Sequence, residues 1–123
     1  MIGQNSRRTQ KTADAKITVI MPAYNCRAFL GQSLPPLLQM QRQGEIYEVI
    51  VVDDGSSDGT AEAAALLGAR VISFEQPRGP AHARNHAARE SLGEILWFID
   101  ADVVARHDAA HQIRQALKNE HPV

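Results

Sequence analysis

Two aspartates one residue apart, Asp100 and Asp102, follow directly on the apolar run Ile95–Ile99. In an extended backbone, residues i and i+2 project to the same side, so both carboxylates can address one ligand. Hard oxygen donors suit Mg²⁺ or Mn²⁺, and Mg²⁺ is commonly held by one or two carboxylates plus substrate phosphates. A cation there would offset the charge developing on a departing diphosphate. The pair is equally compatible with two hydrated aspartates in a turn, so the other strand ends must decide. Asp53 and Asp54 form a second acidic pair, after Tyr47–Val52. A carboxylate there can accept a hydrogen bond from a base N–H, and Gly55 permits close backbone approach; a plain polar turn is the competing reading. Asp54-x-Ser56-x-Asp58-Gly59 imitates the start of a calcium loop, but its twelfth position is Ala65 instead of Glu and a strand precedes it, which excludes calcium.

Tyr24 can offer a ring face to a base or pack beneath a loop. Arg84 falls in the first turns of a helix opened by Pro80, near the positive end of the helix dipole, and Arg78 lies just ahead of it. His82/His86 and His107/His111 have i, i+4 spacing, yet neither pair matches His-Glu-x-x-His. Cys26, the single cysteine, has no partner pattern and reads as structural.

The elements that must position these groups alternate in type. Ile17–Met21, Tyr47–Val52, Arg70–Phe74 and Ile95–Ile99 read as buried strands. Between them, helices are expected over about 26–42, up to Leu67 with Gly68 as the stop, and from Pro80 to Gly93; a last one runs about 108–118. Ser57 or Asp58 is the expected cap of the second helix. Pro35-Pro36 argues for a kink or two short helices in the first. This is an α/β pattern, a mainly parallel sheet flanked by helices, and such sheets bind ligands beyond the carboxyl ends of their strands. That rule singles out Pro22–Asn25, Asp53–Ser57 and Asp100–Asp102. Met1–Ala15 is polar and reads as a disordered lead, leaving 16–123 as one unit.

Four segments together resemble family 2 glycosyltransferases: Ile17–Asn25, Val51–Thr60, Gly79-Pro80-Ala81-His82-Ala83-Arg84-Asn85, and Asp100-Ala101-Asp102. The resemblance covers about residues 16–118 and implies a GT-A, Rossmann-like fold that binds a nucleotide-diphosphate sugar, a UDP-sugar by family expectation. By position, Pro22, Ala23 and Tyr24 would line the nucleotide pocket, and Asp54 or Asp53 would bond the base. Arg84 would lie near the nucleotide, Asp100 near the ribose, and Asp102, with Asp100, would hold Mg²⁺ or Mn²⁺. The family's usual outcome is inverting transfer to an acceptor hydroxyl, with a carboxylate base. That base and the acceptor region are expected beyond Val123, so the unit reads as truncated and its catalytic base as unknown.

A non-catalytic nucleotide-sugar-binding module, or an inactive fragment, is the alternative reading. A nucleotidyltransferase is weaker, because Pro22–Asn25 is neither Gly-rich nor basic. No Gly-x-Gly-x-x-Gly turn and no P-loop occurs. A net charge of −1 gives no reason to expect nucleic acid as a partner. No apolar run approaches the ~18–20 residues that span a bilayer, so the expected location is cytoplasmic, with membrane association only if a longer parent supplies it. An exposed sheet edge would favour a homodimer.

Overall fold

The computed structural model describes residues 14–119. Four parallel strands, β1 (Ile17–Ala23), β2 (Glu48–Asp54), β3 (Arg70–Phe74) and β4 (Ile95–Phe98), form one sheet in the order β3-β2-β1-β4. The connecting helices are α1 (Arg27–Arg42), α2 (Thr60–Leu67) and α3 (Pro80–Glu90), and α4 (Ala109–Asn119) follows β4. The chain winds from β1 outward to β3, then returns to place β4 on the other side of β1. That reversal opens a crevice between the carboxyl ends of β1 and β4.

Alternation of side chains divides the core between the two faces. Ile17, Val19, Met21, Val49 and Val51 pack with Leu30, Leu34, Leu37 and Leu38 of α1 and Ala110 of α4. Ile20, Ile50 and Val52 point the other way, onto Ala83 and Ala87 of α3. All seven residues of β2 are buried, as expected of a central parallel strand covered on both faces.

The expected break at Pro35-Pro36 does not occur: α1 is a single 16-residue helix with both prolines inside. Each proline deprives the carbonyl four residues earlier of its donor. Those carbonyls belong to Gly31 and Gln32, which are exposed, so water can satisfy them. Leu30 and Leu34 before the prolines, and Leu37 and Leu38 after, are buried in one core and hold both halves in line. Gly68 ends α2 in the left-handed conformation as expected. The expected stop of α3 at Gly93 is corrected to Glu90, with Ser91 as the cap in extended conformation. Gly93 instead lies against β1, where a Cβ would come within 2.6 Å of the Thr18 backbone nitrogen. The proposed lead, Met1–Ala15, falls outside the described residues except for Asp14 and Ala15; Ala15 is buried and its carbonyl accepts a hydrogen bond from Arg114.

One polar group penetrates the amino-terminal end of this sheet. Glu48, only 7% exposed, accepts hydrogen bonds from Thr18 Oγ1 (2.8 Å), Arg70 Nη1 (3.0 Å) and the Leu92 amide (2.7 Å). Arg70 also reaches Glu90 at 3.2 Å, and the Gly93 amide donates to Thr18 Oγ1 at 2.9 Å. One carboxylate thus ties together β1, β2, β3 and the α3–β4 turn. Burial pushes the Glu48 carboxyl up, but the Leu92, Thr18 and Arg70 hydrogen bonds and the Arg70 charge outweigh it and hold it below its ordinary value. Its stabilisation is therefore full above the unfolded-state pKa of about 4.3 and is lost as pH falls through the lower folded value. Glu48→Gln is expected to cost roughly 1–3 kcal/mol at neutral pH and to flatten the acid limb of stability, both read by denaturant unfolding at a series of pH values.

Candidate nucleotide site at the β1–β4 crevice

The crevice at the carboxyl end of the sheet has a volume of about 550 Å³, within the ~300–1,000 Å³ usual for small-molecule sites. Size alone does not select it, because a hollow between α1 and α2 measures about 630 Å³. Its residues do. Pro22 and Ala23 from β1, Tyr24 just beyond it, Asp54 from β2, Arg84 from α3, and Asp100 and Asp102 beyond β4 all line it. Every site residue expected from the sequence is there except Asp53.

The strand-end loops are fastened to one another. Asn25, held at φ 50°, donates its amide to Ser56 Oγ (2.9 Å), and its side-chain oxygen accepts the Ser57 amide (2.8 Å). Asp58 accepts from the Arg27 amide (3.1 Å) and from both the amide and the hydroxyl of Thr60, and Thr60 Oγ1 in turn accepts the Cys26 amide (3.1 Å). The Thr60 hydroxyl first, then the Arg27 and Thr60 amides, hold the Asp58 carboxyl below its ordinary value against the opposing effect of burial. The expected cap of α2, Ser57 or Asp58, is corrected to Gly59, which has no side chain to cap the helix; Asp58 instead meets the Thr60 amide from one residue further out.

Asp53 and Asp54 diverge because successive strand residues face opposite sides. Asp53 supports its own turn, accepting from the Ser56 amide (3.0 Å) and the Ser73 hydroxyl (2.8 Å). Asp54 reaches across to the β3–α3 loop and accepts the Arg78 and Gly79 amides at 2.8 and 2.9 Å. Arg78 itself is not among the lining residues, but Pro77, Gly79 and Pro80 are.

Asp100 and Asp102 are exposed. No group of three or more His, Cys, Asp or Glu placed to hold a metal occurs among the described residues; a cation held by two carboxylates would need its remaining ligands from phosphate and water. The histidine pairs lie elsewhere. His82 meets Phe74 at a tilt of 55° and His86 meets it edge-on at 88°, each at 5.1 Å between ring centroids, and His86 pairs with Glu90 at 2.6 Å. His107 and His111 line a separate hollow with Asp108. The Asp108 carboxylate, pushed up by burial, is brought below its ordinary value by hydrogen bonds from Arg106 and Gln112 and by the Arg106 charge.

Sequence reading missed Cys26 and Phe29 as wall residues. Phe29 stands near helical spacing with Leu30, Leu34, Leu37 and Leu38, yet it is 49% exposed and lines the crevice. The usable signal was positional: the first turn of a helix that follows a parallel strand begins at the ligand end of the sheet.

The four-stranded parallel sheet flanked by helices is the GT-A fold of the solved glycosyltransferases it matches. The family model for glycosyl transferase family 2 matches residues 18–123, and the chain belongs to that family. It is 39% identical to the uncharacterized glycosyltransferase YfnE of Bacillus subtilis over 109 residues, covering 85% of this chain and 28% of YfnE. S. aureus TarS 1–349 in complex with UDP-GlcNAc matches with a TM-score of 0.74 at 29% identity, over 86% of this chain and 32% of that one. The mannosyltransferase PcManGT from Pyrobaculum calidifontis, in complex with GDP-Man and Mn²⁺, matches with a TM-score of 0.74 at 25% identity, over 98% of this chain and 41% of that one. The chain thus spans less than half the length of each of these three relatives. No helix among the described residues is long and apolar enough to cross a membrane.

The Asn25 clasp can be separated from the strain of its backbone. Asn25→Gly keeps the positive φ and removes only the side-chain acceptor, at an expected cost of about 1 kcal/mol. Asn25→Ala should cost roughly 1 kcal/mol more, because alanine resists the left-handed conformation. Thermal or denaturant melts of the two variants beside the parent chain give both differences.

Proposed function

We propose that this chain binds a nucleotide-diphosphate sugar in the β1–β4 crevice, as the donor half of a metal-dependent glycosyltransferase. The observation that carries the reading is the convergence of Pro22–Tyr24, Asp54, Arg84, Asp100 and Asp102 on one crevice. The apolar and aromatic wall of Pro22, Tyr24 and Phe29 suits a base, and Arg84 supplies positive charge. Asp53 acts from outside the crevice by holding the Ser56 turn. Asp100 and Asp102 would hold Mg²⁺ or Mn²⁺, which when bound would neutralise charge on the diphosphate leaving group. PcManGT, with GDP-Man and Mn²⁺, supports the use of a divalent cation; TarS, with UDP-GlcNAc, supports a UDP-sugar.

The transfer proposed is inverting. A carboxylate removes the proton of an acceptor hydroxyl, whose oxygen bonds to the anomeric carbon as the bond from that carbon to the diphosphate breaks. Asp54 is engaged by two amides, and Asp100 and Asp102 are assigned to the cation. None of the three is therefore assigned as the base, which together with the acceptor-binding surface is proposed to come from outside this crevice. The edge strand β4, with Leu96 and Phe98 exposed, is where a second copy would pair.

Calorimetric titration with UDP and with GDP, each with and without Mn²⁺, tests the donor site. Binding that requires Mn²⁺ and weakens at least about tenfold in Asp102→Ala is the expected result. A folded chain that takes up neither nucleotide would remove the proposal.

A further inference from the structure

Charge in the crevice is unevenly placed. Strand alternation puts Asp54 on the face of β2 that carries Ile50 and Val52, the face covered by α3, and α3 also carries Arg84. On the α1 side the lining is Ala23, Cys26, Phe29 and Ala101, and none of these is charged. The backbone that opens α1 offers an anion little either. The Cys26 amide donates to Thr60 Oγ1 (3.1 Å), the Arg27 amide to Asp58 (3.1 Å) and the Phe29 amide to the Cys26 carbonyl (2.9 Å). The Cys26 thiol is turned to the Tyr24 carbonyl at 3.2 Å. This side is therefore unsuited to a diphosphate. Its one large side chain is Phe29, 49% exposed, whereas Leu30 beside it is fully buried. An aromatic ring bared in a concave site, with small neighbours on either hand, is a surface that a ligand can cover.

We propose that Phe29 is a specificity-determining residue, the platform on which the sugar ring of the donor rests. The assignment rests on the crevice being the donor site and deepens that reading. A nucleotide-diphosphate sugar runs in a fixed order: base, ribose, two phosphates, sugar. With the base between Tyr24 and Asp54, and the phosphates at a cation on Asp100 and Asp102, the sugar is what remains to be housed. Ala101, between the two aspartates, is buried in the core that α1 covers, so the cation site adjoins the uncharged side of the crevice. An aromatic wall that suits a base also suits a pyranose. The C–H groups on one face of that ring are polarised by neighbouring oxygens, and the face of an aromatic ring is the negative part of its quadrupole. A leucine would cover the same area without that attraction.

The test compares a nucleotide with its sugar conjugate, UDP against UDP-GlcNAc and GDP against GDP-mannose, by calorimetry with Mn²⁺. Phe29→Ala should leave the affinity for the bare nucleotide within about twofold of the parent and weaken the sugar conjugate about five- to tenfold. Phe29→Tyr keeps the ring and should keep the conjugate's affinity; Phe29→Leu should lose it as alanine does. A second readout needs no variant, so a substitution that fails to fold does not end the test. In the parent chain with Mg²⁺, nuclear Overhauser contacts from the Phe29 ring should reach the sugar protons of the bound conjugate, and not those of the base. Equal weakening of nucleotide and conjugate, a leucine variant as good as the parent, or contacts to the base would each overturn the assignment. A parent chain that binds UDP while Phe29→Ala loses nothing would remove the Phe29 assignment alone. A parent chain that binds no nucleotide would remove the donor-site reading, and this assignment with it.

Discussion

The structure depends on β1 and β2 being buried on both faces. Ile17, Val19, Ile20, Met21, Ile50, Val51 and Val52 are each fully inaccessible, and burying a side chain of this size contributes about 1.5–3 kcal/mol. A strand placed there has no solvated face on which to carry polar chemistry. Within these two strands the buried polar side chains are hydrogen-bonded, as at Thr18 and Glu48. All remaining chemistry is displaced to the strand ends. Glu48 occupies the amino end of β2 and is purely structural, and the two aspartate pairs occupy carboxyl ends.

Displacement to loops would ordinarily leave a site mobile, and here the loops hold each other. Asn25 links the end of β1 to the Ser56–Ser57 turn, Asp58 and Thr60 link that turn to the start of α1, and Asp54 links it to the β3–α3 loop. Each link joins a side chain to a backbone amide, so the loops are set relative to one another without large apolar contacts. What is left to face the crevice is a preformed wall, with fewer groups to immobilise when a ligand enters.

The element pattern was legible because period-two and helical apolar spacing are local properties. Pro35-Pro36 misled because the penalty of an internal proline depends on where the freed carbonyls point, and Gly31 and Gln32 happen to face water. Gly93 misled for a related reason: its lack of a side chain serves the approach of β1, a tertiary contact that imitates a helix stop in one dimension. Strand parity alone assigns Asp54 to the face of Ile50 and Val52, and Asp53 to that of Val49 and Val51. The sequence does not say which face α3 covers, so it could not say which aspartate meets the loop leading into α3. Phe29 was hidden in the same way, since its helical position gives a face but not the overhang of the first turn above the crevice.

The contrast between Asp54 and the Asp100/Asp102 pair follows from what each must meet. Asp54 is buried and its partners are permanent amides, so its desolvation is offset within the folded chain. Asp100 and Asp102 remain exposed and keep their hydration. On the proposed reading, two hydrated carboxylates are too few to hold Mg²⁺ or Mn²⁺ tightly, and the diphosphate must complete the coordination. Cation and donor then raise each other's affinity by the same factor, because linkage between two binding equilibria is reciprocal. A third protein ligand would have tightened the metal alone and weakened that mutual dependence. On that reading, Asp100 and Asp102 would hold the cation only together with the donor's diphosphate, which would supply the remaining ligands.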